Sequence, residues 1–431
     1  MKILFKNAVL LKEAGFGTSP VQLAITEDKI TYIGTDLPAE DEFDRVIDCR
    51  ENLIMPAFYN AHCHAAMTLF RGYGEDLPLQ KWLNDRILPA EDKLTFRSAY
   101  YGTKLAIAEM IKNGIVSFTD MYMFEDATAE AVLETGVKAN ISRCIVSFED
   151  DMRSEEDARF AEAVRLAEQY HGAADGRLLV DMALHAEYTN RDATCRYVAE
   201  FAKEHNLRMQ LHASETHLEQ EECISRRNGL TPIGYFHSLG VLDVPTSAAH
   251  CVYVTDDDLA IMKEKGVFAV HNPTSNLKLG SGIMPLRRVL DAGVRVALGT
   301  DGAASNNTLD MLKEMQLAAI LHKGVNCDPT VITADMLPPL ATRNGALSQG
   351  REDCGIIQVG AKADLIMIDM NAINNVPCYD TTVALCYSTS TSNVILTMCD
   401  GRILYENGAY TSIDIECLKF ESRQVIRRYF D

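Results

Sequence analysis

Apolar runs of strand length recur through the middle of the chain, separated by amphipathic stretches of helical length. The runs are "NLIMPAFYNAHCH", "GIVSFTDMY", "VKANISRCIVSF", "RLLVDMALHAEYT", "RMQLHASET", "TSAAHCVYV", "VFAVHNPTSN" and "VRVALGTDG". Between them lie segments such as "SAYYGTKLAIAEMIKNG" and "SEEDARFAEAVRLAEQYHG", which read as amphipathic helices. Strand then helix, repeated eight times, predicts a parallel (β/α)8 TIM barrel, an α/β fold.

The two ends have a different texture. "ILFKNAVLL", "VQLAITEDKITYIG" and "RVIDC" at the start, and "ADLIMIDM" and "NVILTMCDGRILYENGAY" at the end, read as strands with charged or Gly turns. Neither end has enough strands for a sheet domain of its own. Together they predict one small β-sandwich domain, residues 1–55 with 352–431, around a barrel over 56–351. The signals "ENG", "KNG" and "KEKGV" read as helix ends with glycine just past the last turn. No internal repeat or low-complexity linker interrupts the pattern.

Active sites of such barrels lie at the C-terminal ends of the strands. There stand His62 and His64, Asp120, Arg143, His185, His212 with Glu215, His250, His271 with Asn272, and Asp301. In "HCH" the two imidazoles are two residues apart, so on an extended strand they share a face and Cys63 points away. Two convergent imidazoles are half of a metal site, and His212 and Asp301 supply the rest. A single HxH pair is a weak signal. The same pair followed by His212, His250 and Asp301 on later strands is a strong one.

A nitrogen-rich set of this kind suits one divalent zinc, with iron as the alternative, over the all-oxygen shells of magnesium or calcium. Such an ion lowers the pKa of a bound water towards neutrality. Glu215, three residues after His212, would carry a proton to a substrate nitrogen. His250 would hydrogen-bond the water, and Asp301 would take a proton and pass it on.

Bulk properties narrow the partners. The chain has 431 residues, 47% of them hydrophobic, enough for a large core. Its formal charge of −20 argues against nucleic-acid or anionic-membrane partners, which want basic surfaces. No apolar run approaches membrane-spanning length. "MKILFKNAVLLKEAG" lacks a continuous apolar region and a cleavage site, so no signal peptide is expected. The 12 cysteines are scattered with no CxxC pair, which reads as reduced thiols of a cytoplasmic protein.

The motifs "MPAFYNAHCHAAMTLFRGYGEDLPLQKWL", "LHASET", "AAHCV", "HNPTSNLKLGSGIMPL" and "LGTDGAASNNTLDM" are long and stand in order. Through them the sequence resembles the amidohydrolase superfamily over nearly its whole length. More narrowly it resembles the 5′-methylthioadenosine/S-adenosylhomocysteine deaminases, with guanine and cytosine deaminases and triazine hydrolases as more distant kin. The resemblance implies a metal-dependent hydrolytic deaminase of adenosine-type nucleosides with 5′ substituents, giving the inosine analogue and ammonia. It implies His62, His64, His212 and Asp301 as metal ligands, Glu215 as the acid that protonates the ring, and His250 as the residue that orients the water. The fourth strand has His185 where two-metal relatives carry a bridging Lys or Glu, which implies a single metal and makes His185 a substrate contact.

By the same resemblance Glu91 binds the ribose hydroxyls, Trp82 walls the purine or the 5′ group, and Arg143 and Arg153 hold a carboxylate tail. Homo-oligomers are common in that family. Plainer readings stand beside these. Trp82 is also read as core packing, Arg143 as the partner of a nearby acid, Arg153 as a solvated charge and Glu91 or Glu215 as a helix-start carboxylate. His271 is read as scaffolding of the barrel mouth, and His171, His205, His217, His237 and His322 as ordinary. A related aminohydrolase acting on a free base or a triazine-like ring is the alternative function; its pocket has no need of Glu91.

Overall fold

The computed structural model describes residues 1–11, 20–147 and 158–430, with no side-chain description for 429 and 430. Fourteen of its strands fall in chain order from the first residues to the end of the barrel. These are β1 (Lys2–Ala8), β2 (Val21–Thr26), β3 (Lys29–Gly34), β4 (Arg45–Asp48), β5 (Leu53–Pro56), β6 (Phe58–Cys63), β7 (Ile115–Tyr122), β8 (Lys138–Ile145), β9 (Leu178–Val180), β10 (Met182–Leu184), β11 (Met209–Ala213), β12 (Thr246–His250), β13 (Phe268–His271) and β14 (Arg295–Leu298). Four more follow: β15 (Leu365–Ile368), β16 (Val394–Cys399), β17 (Arg402–Glu406) and β18 (Ala409–Tyr410).

Strands β6 to β14 form one parallel sheet in the order β14-β13-β12-β11-β10-β8-β7-β6, with β9 beside β8. β9 and β10 are one stave interrupted at Asp181, so the barrel has its eight staves. Every residue of β6, β7, β11 and β12 is buried. Parallel strands covered on both faces read as unbroken apolar runs, which is why the pattern was visible in sequence.

The barrel is nearly closed between β14 and β6, and the join is made just past the end of β14. Asn60 donates to Thr300 Oγ1 at 2.7 Å and accepts from the Thr300 amide at 3.0 Å. The Asp301 amide donates to the His62 carbonyl at 3.0 Å. Glycine lets the chain pass closely at both ends of this crossing, Gly299 against the His62 backbone and Gly302 against the Met67 side chain. A Cβ at Gly299 would stand 3.0 Å from the His62 amide nitrogen and 2.5 Å from Asn272 Oδ1, and one at Gly302 would stand 2.7 Å from Met67 Sδ.

The chain ends form two further sheets, one in the order β3-β2-β1-β4 and one in the order β18-β17-β16-β15-β5. The second is antiparallel and takes β5 from the N-terminal part of the chain. One core unites them, with Ile3, Phe5, Leu23 and Ile25 against Ile54, Leu365, Leu396 and Met398. The run "NLIMPAFYNAHCH" is therefore two strands. Its first part, β5, belongs to the small sandwich, and its second, β6, to the barrel.

Two of the three glycine signals are helix ends. Gly114 follows the helix Phe96–Lys112, and Gly266 caps Asp256–Lys265. "ENG" is not one. It is the two-residue turn of the β17–β18 hairpin, with Asn407 at φ 46° and Gly408 at φ 91°. Two consecutive left-handed residues make the tight turn that matches strand twist.

A buried ionic cluster ties the second sheet to the barrel floor. Lys138, the first residue of β8, is 2% exposed and bonds Asp364, and also Asp400 Oδ1 at 2.7 Å. The Tyr59 hydroxyl donates to the same Asp364 carboxylate.

Candidate functional site

His62 lies on β6 and His64 just past its end, at φ −129° and ψ 82°. Their ring centroids are 4.8 Å apart. His212 on β11 joins them, 4.9 Å from His62 and 5.5 Å from His64. One nitrogen from each of these three imidazoles can be chosen so that all lie within 4.8 Å of one another. Asp301, past the end of β14, brings Oδ1 to 3.2 Å from His64 Nε2 and 3.6 Å from His62 Nε2.

The donor set fits a divalent metal ion. His64 Nδ1 bonds the Met121 carbonyl at 2.6 Å, and His212 Nδ1 bonds the His185 carbonyl at 2.8 Å. A carbonyl can only accept, so each Nδ1 carries a proton and Nε2 is the nitrogen each ring has left to offer an ion. His62 Nε2 is buried with no hydrogen-bond partner, a costly state for a polar atom unless something else takes it.

Electrostatics agree with this. Burial, and then the nearby His64, hold His62 well below the usual imidazole range, and burial followed by His62 does the same to His212. Neutral imidazoles are what a metal binds. Burial would raise Asp301, but its contact with His64 holds it well below the usual carboxylate range. In turn burial would lower His64, yet Asp301 carries it up to about 9. A field that retains a proton there is one that favours a cation.

Asp301 is fixed from three sides. The hydroxyls of Ser275 and Ser305 donate to Oδ2 at 2.6 and 3.0 Å, and the Gly302 amide donates to Oδ1 at 2.7 Å. Its backbone is left-handed at φ 60°, a strained state for a non-glycine residue that its surroundings must impose.

His250 and Glu215 face the same space. His250 Nε2 lies 3.8 Å from Glu215 Oε2, and the His250 ring is 5.4 Å from that of His212. His250 Nδ1 bonds Asn276 Oδ1 at 2.8 Å. The Ser281 hydroxyl donates to Glu215 Oε1 at 2.9 Å. Glu215 precedes the helix His217–Arg226 rather than sitting in its first turn.

The remaining residues line the approach or lie elsewhere. His185 stands 5.0 Å from His212, with Nδ1 bonded to Thr189 Oγ1 at 3.1 Å. Burial, then His64, pushes its imidazole down to about 4. Glu91 ends the short helix Leu88–Glu91, is buried, and accepts from the Tyr122 hydroxyl at 2.6 Å. Burial raises its carboxyl to about 6. Trp82 is buried in an apolar cluster with Met67, Phe70 and Ile87. Arg143 donates from Nε to Glu162 Oε2 at 2.6 Å and from Nη1 to the Cys144 carbonyl at 2.8 Å. Arg153 lies outside the described residues. His271 is buried beneath the mouth, 5.6 Å from His322.

Sequence reasoning missed several supports. Tyr122, whose ring is 6.1 Å from that of His64, was hidden in the strand "GIVSFTDMY". Asn276 and Ser281 were quoted only as part of a motif. Glu219 had a readable signal, since Thr216 and Glu219 stand at capping-box spacing, and the Thr216 side chain does accept the Glu219 amide at 3.1 Å.

Comparison with known proteins places this arrangement. Residues 53–404 match the amidohydrolase family. The chain is 42% identical to the 5-methylthioadenosine/S-adenosylhomocysteine deaminase of Acetivibrio thermocellus, over 99% of each chain. It is 40% identical to the 5′-deoxyadenosine deaminase of Methanosarcina mazei, over 94% of this chain and 93% of that one. Among solved structures, an adenosine deaminase from Xanthomonas campestris with bound zinc superposes with a TM-score of 0.92 at 31% identity, covering 99% of this chain and 98% of the other. The chain belongs to the amidohydrolase family, in the branch of the 5-methylthioadenosine/S-adenosylhomocysteine deaminases.

Proposed function

We propose that this protein hydrolyses the 6-amino group of adenosine-type nucleosides that carry a 5′ substituent, releasing ammonia and leaving the inosine analogue. The candidate substrates are 5′-methylthioadenosine, S-adenosylhomocysteine and 5′-deoxyadenosine, with adenosine itself a further one. The observation that carries the reading is the Glu215 carboxyl, held by Ser281 and facing His250 beside the imidazole cluster. The names of its relatives support the substrate class.

In this reading His62, His64, His212 and Asp301 hold one zinc ion, in keeping with three nitrogen donors and one carboxylate. What the ion supplies is Lewis acidity and a water whose pKa falls towards neutrality. The protein's own groups do the rest. Glu215 takes one proton of the water and delivers it to N1 of the purine, which makes C6 electrophilic. His250, fixed by Asn276, presents Nε2 to the oxygen that adds to C6. Asp301 accepts a proton and returns it to the departing amine. The C6–O bond forms, the C6–N6 bond breaks, and the two protons of the water end on N1 and on the ammonia.

Glu91 accepts the ribose hydroxyls, with Tyr122 occupying one side of its Oε1. His185 contacts the nucleoside. Trp82 contributes through the apolar wall it packs into, and Arg143 and Arg153 attract a carboxylate-bearing 5′ group. The division 1–55 with 352–431 and 56–351 is supported by β5 and β6 belonging to different sheets, with Pro56, the last residue of β5, still paired to Leu365 in the small sheet. The free cysteines, most of them buried, support a cytoplasmic setting. Among the described residues no helix is long and apolar enough to cross a membrane. Ammonia release from metal-loaded protein with these nucleosides tests the reading.

A further inference from the structure

We propose that Glu219 is a positioning residue for Glu215: it grips the amides on both sides of the Ser214 Cα and so sets where the Glu215 carboxyl stands. The inference rests on the reading of Glu215 as the proton donor.

Strand β11 ends at Ala213, and the chain then turns sharply. Ser214 is left-handed at φ 53°, a conformation that an L-residue keeps only where its surroundings enforce it. Glu219 is part of that enforcement. It is 6% exposed, and its carboxylate accepts the Ser214 amide at 3.0 Å and the Glu215 amide at 2.6 Å. A glutamate at this spacing usually returns to the amide of the capping residue itself. Here it reaches past Thr216 to the two residues before it.

The other side of the turn is held from β12. The amides of Val252 and Tyr253 both donate to the Ser214 carbonyl at 2.9 Å, and the Cys251 amide donates to the Ala213 carbonyl at 3.1 Å. These three residues follow His250 directly. One turn therefore joins the strand end that carries His212 and Glu215 to the strand end that carries His250. Glu219 closes it, and the 3.8 Å relation between Glu215 and His250 depends on that closure.

The chemistry of the grip needs a carboxylate. Two amide donors converge on two oxygens, and glutamine offers only one. A carboxylate buried beside a second carboxyl would be unfavourable without such donors. Burial and the charge of Glu215 push the Glu219 carboxyl up to about 7, while these amides oppose the rise.

The test uses the full-length, zinc-loaded protein as wild type, E219Q, E215Q and the double variant. Metal content, thermal unfolding, kcat and KM are measured for each. The expected E219Q result is unchanged metal content, KM close to wild type, and kcat lower by about 10²-fold, the scale of a misplacement near 1 Å. The double variant should be no slower than E215Q, since the effect of Glu219 runs through Glu215. A residue with a merely structural role would lower metal content or multiply the loss in the E215Q background, and either result overturns the proposal. Wild-type kcat in E219Q, with E215Q collapsed, overturns it while leaving the role of Glu215 intact. Wild-type turnover in E215Q overturns the role of Glu215 itself and this inference with it. Should E219Q fail to fold, E219D takes its place with the same expected split, since it keeps the charge but is one methylene short of both amides.

Discussion

Glu215 Oε2 and His250 Nε2 face each other at 3.8 Å, and each side chain is held from behind, Glu215 by Ser281 at 2.9 Å and His250 by Asn276 at 2.8 Å. Two groups aimed at one point, neither of them in the imidazole trio, are what a proton-transfer step beside a metal requires. Glu215→Gln keeps the shape and removes the proton. We expect kcat to fall by about 10²- to 10⁴-fold with metal content unchanged. Elemental analysis alongside an ammonia assay checks this, and near-native turnover would sink the proposed role.

Glu91 gives a pH dependence with a definite sign. Burial holds its carboxyl at about 6, so it is ionised above that pH and protonated below it. Ribose hydroxyls donate to a carboxylate, and a protonated acid accepts from them less well. KM for a nucleoside should therefore be low and flat above that value and rise as the pH drops through it. Glu91→Gln should raise KM and flatten the profile. An enzyme for free bases would show neither effect.

The unpartnered His62 Nε2 bears on stability as well as on catalysis. An ion that binds only the folded chain stabilises it, by about 4 kcal/mol at a thousandfold excess over Kd. Chelation should lower Tm, and zinc should restore it. In His212→Ala the restoration should be lost. A Tm indifferent to chelator and zinc in the wild type would contradict the metal assignment.

Lys138 tests the join between the second sheet and the barrel. It is buried between Asp364 and Asp400; in Lys138→Ala the fully buried Asp364 loses its cation, while Asp400 keeps Lys362 at 3.6 Å. Breaking a buried ion pair from one side costs about 3–5 kcal/mol. Urea unfolding should show a lower midpoint, with the unfolding free energy extrapolated to water reduced by that amount. An unchanged midpoint would mean that the cluster contributes nothing to stability.

How far the sequence reaches is clear from particular residues. His62 and His64 were legible because strand alternation is a local rule, and the two rings do meet, 4.8 Å apart, although His64 lies just past the strand end. The barrel was legible because strands buried on both faces leave unbroken apolar runs. The break inside "NLIMPAFYNAHCH" was not, since β5 and β6 differ only in which distant strand each pairs with, β15 or β7. "ENG" misled because the same Asn-Gly dipeptide ends a helix at Asn113–Gly114, where only the glycine is left-handed, and turns a hairpin at Asn407–Gly408, where both residues are.

Supports such as Ser281 for Glu215 and Tyr122 for Glu91 are long-range contacts. Periodicity says which face a side chain occupies and not what meets it there. Arg143 shows the same limit. Its strand position pointed to the mouth, and its bond to Glu162 comes from the packing of the following helix.

The most direct test of the account is ammonia release by the purified, zinc-loaded protein across S-adenosylhomocysteine, 5′-methylthioadenosine, 5′-deoxyadenosine, adenosine, guanine and cytosine. Turnover of the nucleosides, with a preference among the 5′ groups, and none of guanine or cytosine is the expected result. Activity on a free base with silence on every nucleoside would contradict it, leaving the barrel and its imidazole cluster to serve a different ring.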